Sequence, residues 1–200
     1  MNDAPRAWQR MLSGRRLDLL DPSPLDVEME DIAHGLARVA RWNGQTNGDH
    51  AFSVAQHSML VEQVCEHVSP GLKPAEQLRA LLHDAPEYVI GDMISPFKAV
   101  MGGAYKDVED RLQSAIHVRF GLSSQTPATL KKIIKKADRI VAYFEAISLA
   151  GFEIEEAAKF FGRPNGITAD QLNLSPQPAV VAQEHFLNRL RQIAAEVAKA

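Results

Sequence analysis

The sequence predicts an all-α fold, and three observations carry that reading. Apolar residues recur at helical spacing along most of the 200 residues. Alternating apolar–polar runs are almost absent, which leaves little material for a sheet. Gly and Pro cluster between the periodic segments, where they punctuate helices rather than interrupt them.

The elements follow in order. "LLDPSPLD" is a turn, and a helix follows it to about Trp42. "NGQTNGDH" is a polar loop. Ser53 N-caps a helix running to about Val68, and "SPGLKP" breaks it. Pro74 suits the first turn of the next helix, which carries "LLHDAPEYVIGD", Leu81 to Asp92. A helix from about Tyr105 to Phe120 stops at Gly121. "SSQTPATL" leads into a long helix from about Ala128 to Ala150, stopped by Gly151. "FFGRPNGITADQLNLSPQP" is less regular, and a last amphipathic helix spans about Val180 to Ala198.

Bulk composition narrows the function classes. Net charge is −3, from 22 basic and 25 acidic residues, so no general nucleic-acid or membrane surface is expected. Any phosphate chemistry must then come from a local site. The single cysteine, Cys65, rules out a disulfide framework within one chain and suits a reducing compartment. The first residues carry no apolar h-region of a signal peptide. No apolar run approaches the roughly 20 residues of a membrane span. The expected location is the cytoplasm.

Helical wheels then expose polar groups in places that need a reason. On the Pro74 helix, Leu78, Leu81, Leu82 and Ala85 form one face, and His83, Asp84 and Glu87 gather opposite. Alone, that is a solvated face. On the preceding helix, His57 falls inside the stripe of Val54, Val61, Val64, Cys65 and Val68. Alone, it is a core histidine satisfied by one hydrogen bond. On the long helix, Asp138 sits among Ile134, Val141 and Ala142. An ionised carboxylate there costs several kcal/mol unless a distant Lys or Arg pairs with it or a cation binds it. One hypothesis covers all three helices: His57, His83, Asp84 and Asp138 converge on one divalent metal, and Glu87 stands beside it to handle a water. His34 shares a polar helix side with Arg38 and Arg41 and reads as surface or site edge.

The ordered set His57, His83-Asp84 and Asp138 resembles the H…HD…D pattern of the HD-domain phosphohydrolase superfamily. "RW" (Arg41-Trp42), "SVAQHS", "LLHDAPE", "GD…PFK" (Gly91 to Lys98) and "KKADRIVAYFEA" resemble, in that order, the bacterial 5′-deoxynucleotidases. "DPSPLDVEMEDIAHGLARVARW" through "LLHDAPEYVIGD" is also similar to phage dATP triphosphohydrolases. The likeness covers about Asp21 to Leu149.

That resemblance implies an HD-domain helical bundle, a single domain over 1–200 with a core of about 21–150. The N-terminal segment 1–20 and the C-terminal region 151–200 would pack on this core. It implies His57, His83, Asp84 and Asp138 as ligands of one divalent ion (Mn, Co, Zn, Ni, Fe or Mg). Glu87 and the ligand Asp84 would be catalytic. Arg41 and Lys98 match phosphate contacts, and Trp42 and Asp92 match sugar contacts. From the residues alone, Arg41 and Lys98 serve equally as solvated charges and Trp42 as core. Tyr88 after Glu87 departs from the two adjacent acids of the guanosine-tetraphosphate hydrolases. The absence of extra histidines departs from the binuclear cyclic-dinucleotide phosphodiesterases. The function implied is release of phosphate from deoxynucleoside monophosphates. The alternatives are a deoxynucleoside triphosphohydrolase and a binding-only nucleotide regulator. A small-molecule nucleotide and a second copy of the chain are the expected partners. Arg15 and Arg16 read equally as functional groups closing over the substrate and as solvated charges.

Overall fold

The structure, a computed structural model, describes residues 6–93 and 103–199. Among them, eight helices dominate and one short hairpin is the only sheet. The hairpin pairs β1 (Trp8–Arg10) antiparallel with β2 (Arg16–Asp18). The helices are α1 (Met29–Leu36), α2 (Val54–Val68), α3 (Pro74–Leu81) and α4 (Glu87–Ile90). They continue with α5 (Gly103–Arg119), α6 (Ala128–Ser148), α7 (Ile154–Phe161) and α8 (Ala179–Val197). No helix among the described residues is long and apolar enough to cross a membrane.

Local chemistry sets several of these limits as expected. The Ser53 hydroxyl accepts from the Gln56 amide and caps α2. Pro74 opens α3, where its missing N–H leaves no bond unmade. Gly151 takes φ +74°, a left-handed conformation that lets the chain turn just beyond α6.

Two apolar clusters form the interior. One joins Leu17, Ile32, Leu36, Leu78, Leu81, Leu112, Phe186 and Leu190. The other joins Phe52, Val61, Val64, Leu130, Val141 and Phe144. Helices α2 and α3 contribute to both, so they form the partition between the clusters. Helix α2 packs along α6 and α3, α8 covers α1 and α3, and α7 lies on α6.

Two expectations need correction. The helix expected to reach Trp42 ends at Leu36. Beyond it, Ala40 bridges to Ser53, Arg41 N–H donates to the Phe52 carbonyl, and Val54 N–H donates to that of Val39. These backbone groups are committed across the chain and cannot continue a helix. Trp42 and Asn43 then take φ of 56° and 50°, left-handed values that cost about 1–2 kcal/mol per non-glycine residue. The Pro74 helix is likewise not continuous. Pro86 would clash with the Leu82 carbonyl four residues back, so α3 ends and α4 starts afresh at Glu87. Two elements add to the sequence reading without contradicting it: the N-terminal segment forms a hairpin, and α7 fills the span ahead of the less regular stretch, overlapping it only at Phe160 and Phe161. Lys98 lies outside the described residues.

Gly35 on α1 fixes where α4 sits. A Cβ at this position would lie 2.7 Å from the Tyr88 carbonyl oxygen and 2.8 Å from its Cβ, so the backbone of α4 would have to move. Gly35→Ala is expected to destabilise the protein by about 1–3 kcal/mol through overpacking. A lowered urea midpoint at unchanged slope reads this out; an unchanged midpoint contradicts the packing described.

Candidate metal centre

His57 stands in the first turn of α2, fully enclosed between α2 and α6. Its Nδ1 lies 2.6 Å from Oε1 of Glu145 on α6. Glu145 is itself completely buried; that burial works against its charge, but Arg41 and His57 overcome it and hold the carboxyl down to about 2. An ionised carboxylate can only accept, so Nδ1 carries the hydrogen and Nε2 faces the other way.

His83 is presented by the break after α3. The ended helix leaves carbonyls without intrahelical partners, and that of Ala80 lies 2.9 Å from His83 Nδ1. A carbonyl cannot donate, so the His83 Nε2 lone pair is also turned outward. The two imidazoles sit with ring centroids 5.4 Å apart.

Carboxylates complete the group. His57 Nε2 lies 3.2 Å from Asp138 Oδ1 and 3.6 Å from Asp84 Oδ2, and His83 Nε2 lies 3.2 Å from Asp84 Oδ2. Neither Nε2 has a well-formed hydrogen bond. One ligand atom from each of His57, His83 and Asp138 falls within 4.8 Å of the others. Lone pairs and carboxylates facing one another at these distances repel unless positive charge stands between them. A proton or a cation can supply it. The donor set of two imidazoles and two carboxylates fits a divalent ion. For the proton, burial and Arg41 both disfavour an imidazolium, but Glu145 and Asp138 outweigh them and raise His57 to about 10. Burial also opposes the charge on Asp84, yet His83, His57 and Arg41 keep its carboxyl well below the usual range.

Arg41, Trp42, Glu87 and Asp92 line one cavity of about 720 Å³ together with Asp84 and Asp138. Every described residue expected to touch substrate is therefore found there. Arg41 Nη1 donates to Asp92 at 3.0 Å, and its Nε and Nη2 donate to Glu145 at 3.3 Å. The Trp42 indole N–H donates to the same Glu145 oxygen at 2.9 Å, and its ring packs against Phe152 and Phe161. Glu87 is buried at the first turn of α4. Asp138 differs from its sequence reading. Its side chain is 38% exposed, because the arc that looks like core on a wheel is a cleft wall in the folded chain. Arg15 pairs with Glu28 and Arg16 stacks over Trp8; neither lines the cavity.

Glu145 is the residue sequence reading missed. It lies seven residues after Asp138, hence on the same helix face, and it is the one acid in the run "IVAYFEAI". That pattern was the available signal.

A family model described as 5′-deoxynucleotidase YfbR-like matches residues 31–190. The chain belongs to this family. It is an HD-domain family, and the matched span holds every residue of the centre described above. An uncharacterized protein of Rhodobacter capsulatus is 55% identical over 190 residues, which cover 92% of this chain and 97% of that protein.

Two outcomes follow for this YfbR-like centre. Glu145→Gln removes the charge behind His57 and is expected to weaken divalent-metal affinity about 10–100-fold, read by metal titration of the folded variant. His57, raised to about 10, holds a proton at neutral pH that an arriving ion must displace. Apparent metal affinity should therefore rise with pH toward that value, with proton release in calorimetry across buffers of different ionisation enthalpy. Pure Nε2 lone-pair binding, with no proton released at pH 7, would contradict this.

Proposed function

We propose that this protein is a divalent-metal-dependent phosphohydrolase that releases orthophosphate from 2′-deoxynucleoside 5′-monophosphates. The observation that carries the reading is one cavity in which Arg41, Trp42, Glu87 and Asp92 adjoin the His57, His83, Asp84 and Asp138 group. Membership of the YfbR-like family supports the same reaction class.

His57, His83, Asp84 and Asp138 would hold the ion, which when bound supplies Lewis-acid neutralisation of the phosphoryl group. Glu87 accepts the proton of the attacking water. Arg41 keeps a second hydrogen on each terminal nitrogen beyond those given to Asp92 and Glu145, and these meet non-bridging phosphate oxygens. Trp42 and Asp92 hold the sugar, and a close fit there discriminates against a 2′-hydroxyl.

A triphosphohydrolase is the second reading. A cavity of about 590 Å³ shares His83, Asp84 and Asp138 with the group and carries Lys106, Lys131 and Lys135, so there is room beyond the ligands. Glu109 and Asp110 line it too and repel a phosphate chain, which favours the monophosphate.

The products separate these readings. Protein loaded with Mn²⁺, Co²⁺ or Mg²⁺ is expected to release orthophosphate from deoxynucleoside monophosphates; triphosphate released from deoxynucleoside triphosphates instead selects the second. Glu87→Gln should lower kcat about 10²–10⁴-fold with metal uptake retained. Asp138→Ala should lose the metal. If the folded, metal-loaded protein releases neither product, the hydrolase reading fails and a binding-only regulator stands.

A further inference from the structure

Helix α6 presents a second feature, which meets the proposed reaction only at the wall formed by Lys135 and Arg139. Lys132, Lys135, Lys136 and Arg139 all stand exposed along it. Their spacings of three, four and seven residues place them on one face, where neighbouring like charges destabilise a helix. None of the four has a hydrogen-bond or ion-pair partner among the described residues. Arg163, held by Glu155 at 2.5 and 2.6 Å, joins them around a cavity of about 580 Å³.

No Asp or Glu lines this cavity among the described residues. The two cavities at the metal centre, by contrast, both carry Asp84 and Asp138. The chain has more acids than bases, so the concentration of cations is local rather than a reflection of composition. From Lys132 to Arg139 the cations extend about 10 Å at 1.5 Å rise per residue, a span suited to a chain of phosphates rather than one. They end within a single concave site, whereas a nucleic acid needs a continuing basic track.

We infer that this cavity binds a short polyphosphate chain, free or carried by a nucleoside. Lys135, Arg139 and Phe161 line both this cavity and the substrate cavity, so the two share a wall. Phe161 in turn packs on Trp42 with ring centroids 5.8 Å apart.

The test titrates the full chain, stripped of metal and kept in chelator, with inorganic triphosphate in a calorimeter. One chain is expected to bind per protein, more weakly as salt rises. The Lys132→Glu, Lys136→Glu double variant should lose at least about tenfold in affinity with unchanged helical circular dichroism. Lys199→Glu, exposed beyond the end of α8 and lining none of these cavities, should bind as the parent does. ATP should bind as tightly as triphosphate, because the cations meet the chain. No binding by the parent protein overturns the inference, as does full affinity in the double variant. Equal loss in Lys199→Glu, or tighter binding of a single-stranded oligonucleotide than of triphosphate, also overturns it. Because neither Lys132 nor Lys136 lines the cavities at the metal centre, these results leave the hydrolase reading to its own test.

Discussion

A single buried carboxylate ties the molecule together. Glu145 has no exposure to solvent, and an unpaired charge in that position costs several kcal/mol. It is satisfied by three donors from two other parts of the chain: the His57 imidazole, the Arg41 guanidinium and the Trp42 indole. Helix α2, helix α6 and the turn at Arg41–Gly44 must therefore arrive together. Breaking the set by removing one member leaves the others buried and unmatched, at about 3–5 kcal/mol. The same carboxylate makes His57 more basic and fixes which ring nitrogen faces the cleft, so stability and chemistry rest on one contact.

Two backbone irregularities convert that contact into a site. The left-handed pair Trp42-Asn43 costs conformational energy, and the hydrogen bonds at Ala40, Arg41 and Val54 hold it in place. The result is an indole and a guanidinium that both reach Glu145. The break imposed by Pro86 has a parallel effect. It frees the Ala80 carbonyl to orient His83 and restarts the chain so that Glu87 opens a new helix. Close contact between Gly35 and Tyr88 then sets the position of that helix against α1.

These irregularities mark the boundary of what the sequence made legible. Ser53 as a cap and Pro74 and Gly151 as helix limits act through near neighbours, and each was readable. The order His57, His83-Asp84, Asp138 was readable because each residue violates its own helix's apolar pattern. The break at Leu82 does not show on a wheel, which assumes an unbroken helix and gives no place to the clash of Pro86 with the Leu82 carbonyl. Periodicity alone carries the helix on to Trp42, because the partner that ends it, Phe52-Ser53, lies about ten residues further along the chain. Glu145 was hidden for a stronger reason. Its partners come from 88 and 104 residues away, and only the folded chain shows that one acid serves them all.

On the proposed reading, charge balance also orders the events at the site. Asp84, Asp92, Asp138 and Glu145 lie within 4 Å of one or both of Arg41 and His57, so negative charge predominates before any ligand arrives. Coulomb repulsion at these distances opposes a phosphate dianion and favours a cation. A divalent ion adds two charges but displaces the proton of His57, so the net gain is smaller than the ion's own charge. Arg41 cannot make up the difference alone, because two carboxylates already hold it. The remaining positive charge at the cavity comes from Lys135 and Arg139 on α6. Metal and phosphate therefore each reduce the cost of binding the other, and linkage makes that coupling reciprocal. A centre with fewer carboxylates would hold phosphate without the metal, and binding would no longer depend on the catalytic ion being in place.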